Sequence, residues 1–447
     1  MRGFLVVLTL IAALAAPARA GIDEGVAAFK RGDYAAALRE YRPLAEQGHA
    51  AAQYNLGLMY ANGHGVARDY AEAVKWYRLA AAQGLAHAQS SLGVMYANGR
   101  GVARDYAEAM KWYRQAAEQG HAGAQNNIGF MYAHGQGVAR NAAEAAKWYR
   151  RAAEQGNTSA QYLLGGMYAE GHGVTQDHAE AAKWYRRAAE QGDANAQFEL
   201  GGMYADGQGV ARNDAEAAKW YRRAAEQGYA DAQYRLGYMY ANGRSVARDD
   251  VEAVKWYRRA AEKGNENAQY RLGVMYANGR GVAQDYAEAM KWYRRAAEKG
   301  VGWAEYSLGV MYANGQSIAR DYVEAMKWYR RAAEKNVAWA QTNLGVMYAT
   351  GQGVPQNYAE AAKWYRRAAE QGDALAQSNL GNMYEKGQGV VQDYVQAHMW
   401  SNLAAATYPP GKDREKAASA RDTLARKMTP AQIANAEKLA RDFKSAR

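Results

Sequence analysis

A Leu-Gly pair at Leu56 and Gly57 sets a beat that runs through the chain. Its glycine returns at Gly93, Gly129, Gly165, Gly201, Gly237, Gly273, Gly309, Gly345 and Gly381, each 36 residues after the last, and Ile128 replaces the leucine once. Trp76, Trp112, Trp148, Trp184, Trp220, Trp256, Trp292, Trp328, Trp364 and Trp400 keep the same interval. Ten units follow one another without an insertion. Such a period outranks total length as a guide to architecture, because each unit must bury its apolar face against the next.

One unit, Gly48 to Gln83, reads as two helices. From about His49 to Ala61, Ala52, Leu56, Met59 and Tyr60 recur at spacings of three and four, which gathers them on one helical face. Asn62-Gly63-His64-Gly65 then ends the segment, since glycine takes the left-handed conformation that closes many helices. A second helix starts at Asp69 with Glu72 three residues on, the pattern of a capping box in which each side chain serves a backbone amide near the other. Its Ala73, Trp76, Tyr77 and Ala80 set large rings beside small residues, and a lone hairpin cannot bury that surface. The tryptophan, methionine and tyrosine ladders therefore read as core, and Gly57 as a point of close helix approach.

The ends differ from the middle. Met1 to Ala20 has a basic start at Arg2, an apolar run from Phe4 to Ala16 and a small-residue site at Ala18-Arg19-Ala20, as in a secretory signal cleaved after Ala20. Ile22 to Gln47 reads as a shorter helix pair turning at Gly32-Asp33, with a kink expected at Pro43. After Tyr408-Pro409-Pro410-Gly411 come two amphipathic helices, the second opened by Thr429, Pro430 and Gln432. The organisation is thus 1–20 signal, 21–47 helix pair, 48–407 ten repeats and 408–447 basic capping helices. No later stretch is long and apolar enough to span a membrane.

The repeat pattern A-x-x-L-G-x-M-Y-x-x-G-x-G-V-x-x-D-Y-x-E-A-x-K-W-Y-R-x-A-A resembles the Sel1-like repeat, a relative of the tetratricopeptide repeat with a longer loop between its helices. The resemblance covers Gly48 to about Thr407 and implies an all-α fold, a right-handed α/α solenoid superhelix of stacked helix hairpins. It also implies that the first helix of each unit lines a concave face, and relatives act as adaptors. Some cysteine-rich relatives are linked to β-lactam binding; this chain has no cysteine and no Ser-x-x-Lys, so that property does not carry over.

On the implied concave face the first unit presents Ala51, Tyr54, Leu58, Ala61 and Asn62. The Tyr54 position becomes Tyr162, Phe198, Tyr234, Tyr270 and Tyr306 in five later units. Trp303 and Trp339 stand at the Ala51 position, Tyr238 extends the ring surface, and Arg235 and Arg271 follow Tyr234 and Tyr270. Aromatic residues with arginine are frequent anchors of binding surfaces. Helical spacing alone leaves two readings open, a groove lined by these rings or packing between units.

Other classes find little support. The net charge of +11 becomes +9 without Arg2 and Arg19, and residues 412–447 hold ten Lys or Arg against five Asp or Glu. About half of the excess therefore lies in the tail, and the repeats lack a phosphate-binding stripe. The Arg-Arg pairs from Arg150 and Arg151 to Arg366 and Arg367 read as a solvated face, with Glu144 pairing Lys147 and Arg150 pairing Glu154. No histidine, carboxylate or serine constellation suggests a metal, a cofactor or catalysis, and without cysteine there is no thiol chemistry. The resulting expectation is an exported, monomeric, non-enzymatic scaffold, periplasmic or secreted by a bacterium. It holds a protein or peptide partner, uses no cofactor and binds no nucleic acid. Cell-wall glycan is the alternative ligand, and an uncharacterised hydrolase the remaining class.

Overall fold

The computed structural model describes residues 20–244 and 246–445, and among these the chain is helical with no strand. The signal segment falls outside the described residues apart from Ala20. The chain divides into two compact units, residues 1–227 and 228–447. The first holds the leading helix pair and five repeats, the second five repeats and the two closing helices.

Within each unit, helices stack as hairpins in chain order. The founding pair, Ala50–Asn62 and Tyr70–Ala82, recurs with 13-residue helices such as Thr158–Glu170 and His178–Glu190 in the first unit, or Gly302–Asn314 and Tyr322–Glu334 in the second. The first helix stops where Gly63 turns left-handed at φ 73°, its amide donating to Met59 O. The second begins where Asp69 Oδ1 accepts from the amides of Ala71 and Glu72.

The capping box is only half made at this position. The Asp69 amide donates to Tyr60 O at 2.9 Å, so it needs nothing from Glu72, whose carboxylate instead pairs with Lys75. A complete box forms at Thr429, whose amide donates to Gln432 Oε1 at 2.8 Å while the Gln432 amide donates to Thr429 Oγ1 at 3.3 Å.

The core is built as the repeat pattern implies. Leu164 and Ala160 are fully buried, and Trp184 joins them to Tyr149 and Ala152 of the preceding repeat. Trp112, Trp148, Trp220, Trp292 and Trp328 bridge two repeats in the same way, which is why one hairpin would not be stable alone. Trp184, Trp220, Trp256, Trp292 and Trp400 are buried, whereas Trp76, Trp112, Trp148, Trp328 and Trp364 remain partly open.

At the start of the chain, residues 20–30 are helical and the helix Tyr34–Glu46 continues through Pro43. At its end, helices Lys412–Ala425 and Pro430–Ser445 follow the last repeat, and the ring of Phe443 meets Trp400 edge-on at 5.4 Å.

Candidate functional site

The outward positions of the first helix are open as expected. Ala51, Tyr54, Leu58 and Ala61 are half-buried and Asn62 exposed, while Ala52, Gln53, Leu56, Gly57 and Met59 are buried between them. The aromatic row sits on these open positions, but its rings also lean inward. In the first unit Tyr162 lies 5.8 Å from Tyr185 and Phe198 5.6 Å from Tyr221; in the second, Tyr234, Tyr270 and Tyr306 lie 6.0, 5.9 and 5.9 Å from Tyr257, Tyr293 and Tyr329. Each ring covers the core tyrosine of its own repeat and keeps part of its surface open. Burial pushes the phenols of Tyr270 and Tyr306 above the ordinary tyrosine value.

Trp303 and Trp339 behave differently. They are 43 % and 55 % exposed, and their rings meet edge-to-face at 5.3 Å. Tyr306 lies 6.0 Å from Trp303 and 5.9 Å from Trp339, completing a triad of rings on two successive first helices. Elsewhere in the second unit the Arg271 guanidinium lies over Tyr238 and Tyr270, 5.9 and 5.8 Å from their centroids. Arg235 is exposed on the same helix as Tyr238. Among the described residues no group of three or more His, Asp or Glu side chains is placed to hold a metal ion.

The arginine pairs are not the ion-pairing face expected. Glu144 does pair with Lys147 at 2.6 Å, but Arg150 donates to the hydroxyl of Tyr168 and Arg151 lies 4.6 Å over the Trp148 ring. The pattern repeats at Arg294 with Tyr312 and Arg295 with Trp292. The first arginine therefore latches one repeat to the next, and the second shields the open face of an indole.

A second latch escaped the sequence reading, although glutamine holds its position in nine of ten units. Gln161 Nε2 donates to Ala153 O at 3.0 Å, and its Oε1 accepts from Gln191 Nε2 at 2.7 Å. The exception is Glu305, fully buried, whose Oε1 takes Lys335 Nζ and Arg331 at 2.9 Å each.

Comparison with known proteins agrees with this architecture. The Sel1 repeat family model matches residues 50–85, 86–121, 122–157, 158–193, 194–229, 230–265, 267–301, 304–337, 340–373 and 374–406. The chain is similar to the crystal structure of a protective antigen present in uropathogenic Escherichia coli strains that displays an SLR fold, with 40% identity and a TM-score of 0.87 over 95% of this chain and 91% of that one. It is also similar to a Sel1 repeat protein from Oxalobacter formigenes, with 36% identity and a TM-score of 0.54 over 69% of this chain and 89% of that one. Sequence comparison with curated proteins finds no match.

Proposed function

The chain belongs to the Sel1 repeat family, and we propose that it is a non-catalytic scaffold that holds a protein or peptide partner on the open faces of its first helices. Repeats of this family generally mediate protein interactions. The observation that carries the reading is the ring triad of Trp303, Tyr306 and Trp339, with the two indoles 43 % and 55 % exposed. Large rings left in water beside one another are a costly surface that a partner's side chain relieves. The edge-to-face angle of 86° between the indoles forms a wedge suited to an apolar side chain.

In this reading the mature protein is exported, with cleavage near Ala20, and residues 21–47 and 408–447 close the ends of the repeat stack. No described helix is long and apolar enough to cross a membrane. Capture from envelope and secreted fractions with wild type and with Trp303→Ala/Trp339→Ala tests the proposal. A protein retained stoichiometrically by the wild type and lost from the variant supports it. Sedimentation with isolated peptidoglycan that is lost in the same variant would replace the partner by glycan, and turnover of a substrate by the purified chain would overturn the scaffold.

A further inference from the structure

The position after each Leu-Gly pair carries a side chain in eight of the ten units, such as Leu58, Val94 and Phe130, and glycine at Gly166 and Gly202, of which Gly166 lines the cavity described next. Where valine or leucine is present, the cavity beside it is modest: 280 Å³ between Leu58 and Val94, and 360 Å³ between Val310 and Val346. Around Gly166 it opens to 660 Å³, inside the range of about 300–1,000 Å³ typical of small-molecule sites. A Cβ built on Gly166 would meet the Tyr185 hydroxyl at 3.5 Å, an ordinary contact. Packing therefore does not require glycine here, and the space it leaves is available to a ligand.

The walls of this cavity carry opposite charge. Its floor comes from the fourth repeat, with Tyr162, Leu163, Met167 and the buried Tyr185. The third repeat supplies Arg140 and His134 on one side, and the fifth supplies Glu199 on the other. Among the ten units Glu199 holds the one carboxylate at its position, where the others carry Asn, Ser, Leu or Arg. Burial, and then the neighbouring charge of Glu170, push the Glu199 carboxyl above its ordinary value. Glu170 is itself bound by His172 Nδ1 at 2.8 Å.

We propose that this cavity binds a small zwitterion, an amino acid or short peptide, with its ammonium at Glu199, its carboxylate toward Arg140 and its side chain against Tyr162 and Tyr185. A cation at Glu199 supplies the charge that its surroundings lack, and an arginine guanidinium is matched to a carboxylate in shape. The site is built from residues of the first unit and shares none with the Trp303, Tyr306 and Trp339 triad, so it stands or falls independently of the partner surface.

Calorimetric titration of the full mature chain tests it with four probes: L-phenylalanine, the dipeptide Ala-Phe, N-acetyl-L-phenylalanine and L-phenylalanine amide. One or both zwitterions bind with a Kd below about 1 mM, and removal of either charge weakens binding by at least about tenfold. A preference for phenylalanine marks a free amino acid as the ligand, and a preference for Ala-Phe marks a peptide. Gly166→Val, which installs the side chain of four sister repeats, abolishes binding with helicity and melting retained, and Glu199→Gln weakens it by at least about tenfold. If no probe binds the wild type at 10-fold above about 1 mM, if the acetylated and amidated probes bind equally well, or if Gly166→Val binds as the wild type does, the proposal is wrong.

Discussion

The ring of Tyr185 lies directly on Gly165, so close that a Cβ there would stand 2.7 Å from Cδ1 of the tyrosine. The two helices of a repeat meet at this point, and the ring is part of the buried core. Gly165→Ala should destabilise the chain by about 1–3 kcal/mol through overpacking. At Gly381 the facing residue is Ser401, whose Oγ would lie 2.9 Å from the new Cβ and can rotate away. Gly381→Ala should therefore shift the urea midpoint, followed by circular dichroism, much less than Gly165→Ala does.

The tryptophans separate into two groups by what covers them. Trp184, 8 % exposed, ties two repeats together, and its change to Ala should cost about 3–5 kcal/mol. Trp339 is 55 % exposed, and Trp339→Ala should cost below about 1 kcal/mol, as surface substitutions do. Thermal melts of the two variants check the contrast; equal losses would place Trp339 in the core. The half-buried Tyr234 and Tyr270 should fall between, because each also covers a core ring.

Glu305 replaces the buried glutamine of the other nine units and is held by Lys335 and Arg331. Glu305→Gln should change stability by less than about 1 kcal/mol, because an amide reproduces the sister contacts. Glu305→Ala should cost about 1–3 kcal/mol, since it strands two cations beside a buried gap. Chemical unfolding of both variants decides; an equal loss for Gln and Ala would show that charge, not hydrogen bonding, holds the site.

Alkaline pH should unfold the chain through its core phenols. Burial pushes Tyr41 to about 12, and raises Tyr77, Tyr113, Tyr149, Tyr185, Tyr257, Tyr293, Tyr329 and Tyr365 as well, from the ordinary value of 10.0. A raised phenol keeps its proton when folded and loses it when unfolded above pH 10, so the folded state binds more protons there. Their contribution is present in full below pH 10 and is lost as pH rises through the folded values. Phenolate absorbance should rise together with loss of helix in a pH titration; ionisation of these phenols before any helix is lost would contradict this.

The sequence carried the hairpins because their signals are local: the Leu-Gly beat, Gly63 as helix end, and Asp69 as helix start. It missed what depends on distance in the fold. The Arg150 contact with Tyr168 joins residues 18 apart and that of Gln161 with Gln191 joins residues 30 apart, and each links two different helical segments, which the periodicity of one helix does not relate. Gly166 and Gly202 both follow a Leu-Gly pair in the sequence, but only the stacked repeats show that the neighbours of Gly166 leave space open. The aromatic row could not be divided between core and surface by periodicity, because one ring does both.

The most direct test of the scaffold is hydrogen–deuterium exchange of the full chain with and without its captured partner. Binding on the first-helix face predicts slowed exchange in Gly302–Asn314 and Ala338–Thr350, which carry Trp303, Tyr306 and Trp339, and none in the partnering second helix Tyr322–Glu334 beyond its own baseline. Protection confined to the second helices, or absent from both tryptophan-bearing helices, would contradict the account.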